Sequence, residues 1–175
     1  MKNNQHLPQP SFPKEKPLKK HHQVHNPLFS YYQDSLNYAI YSDHQTSAIL
    51  EKMECFFDSP RIKELYLSFE FTKKAQAKRI AQLMKKNGIK KSAFDQSLLA
   101  LEKEAHTILQ KTIKDPKRKE EELLQLIQKI IHYQMGVYSA LMVLSNIIHF
   151  TEAHELFAIG IAEMEEKRQE LEEIT

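Results

Sequence analysis

Apolar residues recur at three- and four-residue spacing along the chain from Leu28 onward, and this spacing indicates amphipathic helices. We predict five of them, at about residues 29–57, 60–87, 92–113, 119–147 and 151–174. Four of these segments are long, the third is shorter, and the connections between them are short. The pattern therefore predicts an all-α fold, in which the four long helices form an antiparallel bundle with one additional short helix.

Residues that commonly begin or end helices mark the boundaries of these segments. Ser59 and Pro60 are typical of a helix N-terminus, where serine caps the first turn and proline occupies the first helical position. Gly88 predicts the end of the second helix, because glycine readily adopts the left-handed conformation of a C-terminal cap. Pro116 separates the third and fourth helices, and Thr151 is a candidate N-cap for the fifth.

The first 27 residues differ in composition from the rest of the chain. They contain five of the seven prolines, four of the nine histidines, and five lysines against one glutamate. Such a segment has too little apolar surface to offset the entropy of ordering, so we predict a disordered basic tail at 1–27 and a helical domain at 28–175. The small excess of positive charge supports at most weak contacts of the tail with acidic partners, and we do not expect a nucleic-acid partner.

The composition excludes several other classes of protein. Three glycines in 175 residues are too few for the turns of an all-β fold, and the single cysteine, Cys55, allows neither an internal disulfide nor a cysteine-based zinc site. No apolar run is long enough for a transmembrane helix, and the N-terminus lacks the apolar segment of a secretory signal. We therefore expect a cytoplasmic protein without a membrane span.

Polar residues interrupt the apolar stripes near the middle of the long helices. These residues are Asp43, Thr72, Gln76, Gln134 and Glu163, with His132 beside the stripe of the fourth helix. Because the middles of the helices meet in an antiparallel bundle, the interruptions predict one buried polar layer. Buried polar groups are costly unless they are hydrogen-bonded, so the layer should be a connected network, a metal site or a water-filled space.

Asp43, His132 and Glu163 are the candidate metal ligands in this layer. A bundle core that binds two irons or manganeses uses four carboxylates and two histidines, so three donors suffice only for one weakly held ion. The competing interpretation makes Asp43 a hydrogen-bonded core carboxylate paired with Gln134 or His132. In such a neutral network, Asp43→Asn would leave the fold intact.

Residues 128–141, QKIIHYQMGVYSAL, resemble a helix of the YciE/YciF-type ferritin-like proteins, a bacterial family whose pattern there is QKVEHYEIAxYGTL. Residues 40–53, IYSDHQTSAILEKM, are similar to the family's first helix, and residues 60–88 align with its second helix without a gap. Residues 101–109 and 163–171 resemble its short helix and its acidic last helix. The resemblance implies a ferritin-like bundle and identifies the chain as a divergent member of the family.

The resemblance also implies a set of metal-ligand positions, most of which carry a neutral side chain in this chain. A carboxylate is kept at Asp43 and Glu163, and a histidine is kept at His132. The other positions carry poor ligands or none: Thr72, Gln76, Ile131, Gln134, Met164 and Arg168. The resemblance therefore implies the fold together with a degenerate metal centre.

Two functions agree with these observations. In the first, the chain is a non-enzymatic, stress-related bundle protein that acts as a homodimer or through a protein partner that the sequence does not identify. Exposed aromatic residues would support a dimer, and we expect Tyr31, Tyr32 and Phe150 to be exposed. In the alternative, the chain binds iron or manganese weakly and has residual oxidase or metal-storage activity. We favour the first function, without a cofactor, because too few ligands remain.

Overall fold

The computed structural model describes residues 27–90, 99–110 and 115–174, and in these ranges the chain is helical and contains no strand. The helices are α1 (Pro27–Glu51), α2 (Pro60–Asn87), α3 (Leu99–Gln110), α4 (Pro116–Ile147) and α5 (Thr151–Glu172), with a 3-10 helix at Glu54–Phe56. The prediction of an all-α fold with four long helices and a short one is confirmed. Residues 1–26 of the predicted tail lie outside the described residues, as do both ends of the predicted third helix, whereas Pro27 is the first residue of α1.

Most helix ends lie close to their predicted positions. Ser59 occupies the N-cap position of α2 in an extended conformation, although its side chain makes no capping hydrogen bond within the described part of the chain. Pro60 is the first residue of α2, and Gly88 ends it with a φ of 66° in the left-handed region. α4 begins slightly before its predicted start, at Pro116, because the side chain of Asp115 accepts a hydrogen bond from a backbone N–H of the first turn.

Two helix ends differ from the prediction. α1 ends at Glu51, well before residue 57, because Lys52 and Met53 bond to carbonyls three residues back and a 3-10 helix follows. Phe57, the C-cap of that 3-10 helix, is extended and packs on Tyr66 of α2, with 5.3 Å between ring centroids. The residue at the N-cap of α5 is Phe150, and Thr151 is the first helical residue rather than the cap. In both cases an aromatic side chain is buried at a corner of the bundle.

Contacts at opposite ends of the helices establish that neighbouring helices are antiparallel. Near the end of α1, the Leu50 carbonyl accepts a hydrogen bond from the Tyr66 hydroxyl in α2 (2.9 Å). Closer to the start of α1, the Asn37 side chain donates to the carbonyl of Lys90, just beyond α2 (3.2 Å). The direction of α2 therefore opposes that of α1.

The same reasoning applies to the other helix pairs. The late α2 residue Lys86 forms an ion pair with Glu152 at the start of α5 (2.8 Å). Tyr32 in α1 contacts Phe150, just beyond α4. The four long helices therefore form a ring in the order α1, α2, α5, α4, and α2 and α4 are parallel. One long crossover, which contains α3, joins these two helices and packs on α4 and α1. The structure is thus a four-helix bundle with one long crossover connection.

The aromatic residues at the start of α1 are only partly exposed. Tyr31 is exposed, as predicted, at 60% of its surface. The prediction that Tyr32 and Phe150 are exposed is wrong, because both side chains are buried and their ring centroids lie 5.9 Å apart. The chain reverses direction at His149, which has a φ of 55°, and this reversal places Phe150 over α1.

Candidate functional site

Three charged or polar side chains from three helices meet in the centre of the bundle. Asp43 of α1, Lys73 of α2 and Tyr138 of α4 are all buried. Lys73 Nζ lies 3.1 Å from Asp43 Oδ1, and the Tyr138 hydroxyl lies 3.0 Å and 3.1 Å from the two Asp43 oxygens. The carboxylate of Asp43 therefore accepts hydrogen bonds from a cationic donor and from a neutral one.

Lys73 is a core residue that was not predicted from the sequence. The predicted inner-face residue of α2, Thr72, is only partly buried and donates to the carbonyl of Ser68 in its own helix (3.0 Å). Lys73 follows the buried Phe69 by four residues and precedes the buried Gln76 by three, so it lies on the same helical stripe. A lysine on an apolar stripe was the available signal, and it was overlooked because lysine is rarely buried.

Burial and charge act in opposite directions on Lys73. Burial lowers the pKa of its ammonium group below the ordinary value for lysine, and the neighbouring Asp43 offsets only part of this effect. Burial also raises the pKa of Tyr138 well above its usual value, and the negative charge of Asp43 adds to this effect. Tyr138 is therefore held in its protonated form and serves as a hydrogen-bond donor.

Glu163, the other inward carboxylate, is also paired with a basic side chain of α2. Arg79 donates from Nη2 to Glu163 Oε2 and from Nε to the side-chain oxygen of Gln76 (2.7 Å). About a quarter to a third of each charged side chain remains exposed, so this pair is less isolated from water than the pair at Asp43. Both charges also act on the pKa of Tyr138, which links the two pairs electrostatically.

The remaining predicted positions do not join these carboxylates. His132 is exposed on the outer surface of α4, and Ile131 beside it is buried and apolar. The Gln134 amide donates to the Thr46 hydroxyl (3.4 Å), not to Asp43. Arg168 forms ion pairs with glutamates of its own helix. The expected partners of Asp43, namely Gln134 or His132, are therefore replaced by Lys73 and Tyr138.

The donor set at the centre does not fit a divalent metal ion. Asp43 and Glu163 carry two negative charges, and Lys73 and Arg79 already balance them with two positive charges. An additional divalent cation would leave a buried excess of positive charge, which is strongly unfavourable. Within the part of the chain that the structure describes, no three carboxylate, histidine or cysteine side chains form a group suited to a metal.

Two buried amide atoms near this centre have no hydrogen-bond partner among the described residues. They are the side-chain nitrogen of Gln76 and the side-chain oxygen of Gln134. The Gln76 side chain packs directly over Gly160 of α5, where a β-carbon would lie 2.9 Å from Gln76 Cδ. Glycine at position 160 thus permits the close approach of α2 and α5 at the level of the charged cluster.

The outer face formed by α1 and α4 has a different character. From Ile130 to Thr151 the sequence contains no Asp, Glu, Lys or Arg. An open groove of about 600 Å³ lies between the two helices, and its lining includes Tyr31, Tyr38 and Tyr133. Tyr38 and Tyr133 are hydrogen-bonded to each other through their hydroxyl groups. We refer to this surface as the α1/α4 face.

The α1/α4 face continues along α4 beyond the groove. Gly136, Ala140, Val143 and Ile147 are exposed, and their spacing of four, three and four residues places them on one side of the helix. Despite this apolar character, no helix in the described ranges is both long and apolar enough to cross a membrane.

Comparison with known proteins agrees with this architecture. The family model described as a domain of unknown function, DUF892, matches residues 28–175. The chain belongs to this family. The DUF892 match spans all five helices, apart from the first residue of α1. Among curated proteins, none matches the sequence.

Two solved structures resemble this DUF892 chain closely in fold. The E. coli stress protein YciF has a TM-score of 0.78 at 17% identity, with 85% of this chain and 94% of YciF covered. YcfI of Rhodopseudomonas palustris has a TM-score of 0.76 at 17% identity, with 86% of this chain and 96% of YcfI covered. The resemblance to YciF-type proteins predicted from the sequence is confirmed, and at this identity the two structures establish the fold alone.

Proposed function

We propose that this chain is a non-enzymatic bundle protein that acts through self-association, with a buried centre that stabilises the fold. The observation that carries the proposal is the ion pair between Lys73 and Asp43, whose charged atoms lie 3.1 Å apart in the core. Asp43 is the only buried carboxylate in the described ranges, and its oxygens are committed to side-chain donors. A centre occupied in this way has a structural role.

A stress-related role is part of the proposal. YciF is named as a stress protein of E. coli, and it shares the fold of this chain over most of both lengths. A bundle that associates with itself through an outer surface is compatible with such a role, because it requires neither substrate nor cofactor.

The α1/α4 face is the proposed site of self-association, and its proposed occupant is a second copy of the same chain. The α4 side of the face carries no Asp, Glu, Lys or Arg, and Asp34 of α1 is the acidic residue in the groove lining, so two identical copies can meet there with little like-charge repulsion. Its large exposed side chains, Tyr31, Val143 and Ile147, are each at least half exposed in a single chain. Apolar surface of this kind favours association.

The oligomeric state of two charge variants tests this part of the proposal. Val143→Glu places a charge in the α1/α4 face, whereas Ile159→Glu places the same charge on α5 at a residue of nearly equal exposure (54% and 50%). We expect light scattering after size exclusion to give a dimer for the wild type and Ile159→Glu, and a monomer for Val143→Glu. A monomeric wild type, or a dimer that Val143→Glu leaves intact, would contradict the use of this face.

The alternative function is weak binding of iron or manganese. The observation in its favour is the partial exposure of Glu163, whose carboxylate would become available if Arg79 moved away. Elemental analysis of protein purified without a histidine tag, with and without added ferrous iron, distinguishes the two functions. We expect that Asp43 binds no metal, so the metal content per chain should be equal in the wild type and in Asp43→Asn. Stoichiometric metal that Asp43→Asn abolishes would favour the alternative.

A further inference from the structure

We infer that the Lys73 ammonium group is a built-in substitute for a metal ion, and that one change of charge at residue 73 makes this bundle a divalent-cation site. The inference rests on the proposed function, in which the native centre holds no metal. It assigns a specific task to a buried lysine that would otherwise be an expensive core residue. The evidence is the charge balance, the geometry at Asp43 and the choice of neighbouring donors.

The charge balance at the centre supports the substitution of an ammonium group for a metal. The four charged side chains, Asp43, Glu163, Lys73 and Arg79, sum to zero. Replacing Lys73 by glutamate would change this sum to −2, which is the charge that one divalent cation neutralises. The charge of the side chain at position 73 thus determines whether the cluster is neutral or can bind an added cation.

The geometry around Asp43 identifies where that cation would be needed. In the structure, Lys73 Nζ occupies one side of the carboxylate, 3.1 Å from Oδ1, and the Tyr138 hydroxyl approaches both oxygens. The side-chain oxygen of Gln134 is buried and has no partner among the described residues. With a carboxylate at position 73, the donors available are oxygen atoms, which suit manganese and magnesium.

A second ion pair between a basic side chain of α2 and an inward carboxylate lies close to the first. Arg79, also on α2, neutralises Glu163 of α5, just as Lys73 neutralises Asp43 of α1. Both inward carboxylates therefore obtain their positive charge from α2. A cation provided by a side chain cannot dissociate, so the charge balance of the fold is independent of metal supply.

The test is Mn²⁺ binding by Lys73→Glu, with Lys74→Glu as the matched control. Lys74 is the next residue but is 57% exposed, so its variant has the same net charge without altering the core. Loss of the free-ion electron paramagnetic resonance signal counts the bound Mn²⁺. We expect about one additional Mn²⁺ per chain in Lys73→Glu relative to Lys74→Glu and the wild type. We also expect a rise in Tm of roughly 5–10 °C at a concentration about one hundred times Kd.

Lys73→Glu that folds only when Mn²⁺ is present would support the inference equally, because metal binding would then be coupled to folding. If Lys73→Glu folds neither with nor without Mn²⁺, the Lys73→Gln variant is measured instead. In that case Mn²⁺ should raise the Tm of Lys73→Gln more than the Tm of the wild type. Equal responses of Lys73→Gln and the wild type would then overturn the inference.

The same experiment separates failure of this inference from failure of the proposed function. Wild-type protein that binds Mn²⁺ in a manner abolished by Asp43→Asn would overturn both. A folded Lys73→Glu protein that binds no more Mn²⁺ than Lys74→Glu would overturn the inference about Lys73 alone. The proposed self-association would be unaffected by that second result.

Discussion

Lys73 and Lys74 are consecutive residues of α2, and each forms an ion pair with a carboxylate. The pair between Lys73 and Asp43 is buried and links two helices. The pair between Lys74 and Glu70 joins neighbouring turns of one helix, and Lys74 is largely exposed. The two pairs contain the same chemical groups at similar distances, so the comparison shows how strongly the surroundings decide what an ion pair contributes.

The largest expected effect comes from breaking the inner pair. Lys73→Met leaves the Asp43 carboxylate buried without its counter-charge, and we expect the free energy of unfolding to fall by about 3–5 kcal/mol. Urea denaturation followed by circular dichroism measures the change. The double variant Lys73→Met with Asp43→Asn removes both charges and should recover most of the loss. A double variant as unstable as the single one would argue against a coupled pair.

The structure also changes the expectation for Asp43→Asn alone. The sequence predicts a neutral network in which an amide can replace the carboxylate. Because Lys73 is in contact with Asp43, this substitution leaves a buried ammonium group without a counter-charge. We now expect a clear loss of stability in the same urea experiment, whereas unchanged stability would support the earlier neutral network.

A smaller effect is expected from Gly160→Ala, which tests the packing next to the inner pair. A β-carbon at this position would lie 2.9 Å from Gln76 Cδ and 3.1 Å from Tyr138 Cδ2, and closer still to the Gln76 amide nitrogen. We expect a loss of about 1–3 kcal/mol from overpacking. Gly136→Ala is the control, because a β-carbon there meets no atom within 4 Å. In the control, alanine should be neutral or stabilising by up to about 1 kcal/mol.

Breaking the outer pair should have less effect still. Lys74→Met removes a largely exposed partner of Glu70, whose own side chain is 15% exposed, and we expect the free energy of unfolding to change much less than in Lys73→Met. Raising the salt concentration should reduce even this difference, because exposed charges are screened. A loss as large as that of Lys73→Met would contradict the distinction between the inner and outer pairs.

The smallest effect concerns a surface carboxylate of α5. Hydrogen bonds from Arg168 and Gln169 lower the pKa of Glu165 to about 2. Its contribution to stability is therefore present above its ordinary pKa of 4.5 and is lost as the pH falls through about 2. A carbon-detected NMR titration should give a low midpoint that moves upward in high salt. A midpoint near 4.5 in low salt would show that the ion pair with Arg168 does not persist in solution.

The sequence predicted the fold better than the contents of the centre. The helical spacing and the turn residues Ser59, Gly88 and Pro116 depend on local preferences, and these agreed with the structure. The partners of Asp43 depend on which residues of α2 and α4 face it, and a single residue along a helix changes direction by about 100°. Assigning Thr72 instead of Lys73 to the inner face was therefore sufficient to mistake a charged cluster for a neutral one.

The order of the helices has a consequence for how the centre is assembled. Lys73 is 30 residues from Asp43 and lies in the same helical hairpin, whereas Tyr138 is 95 residues away in the other hairpin. Contacts between residues that are near in sequence generally form faster than distant ones. The ion pair can therefore form while α1 and α2 associate, before the α4–α5 hairpin docks. The hydrogen bond from Tyr138 to Asp43 then forms only when the two helical hairpins dock, so it should form at a different rate from the ion pair beside it.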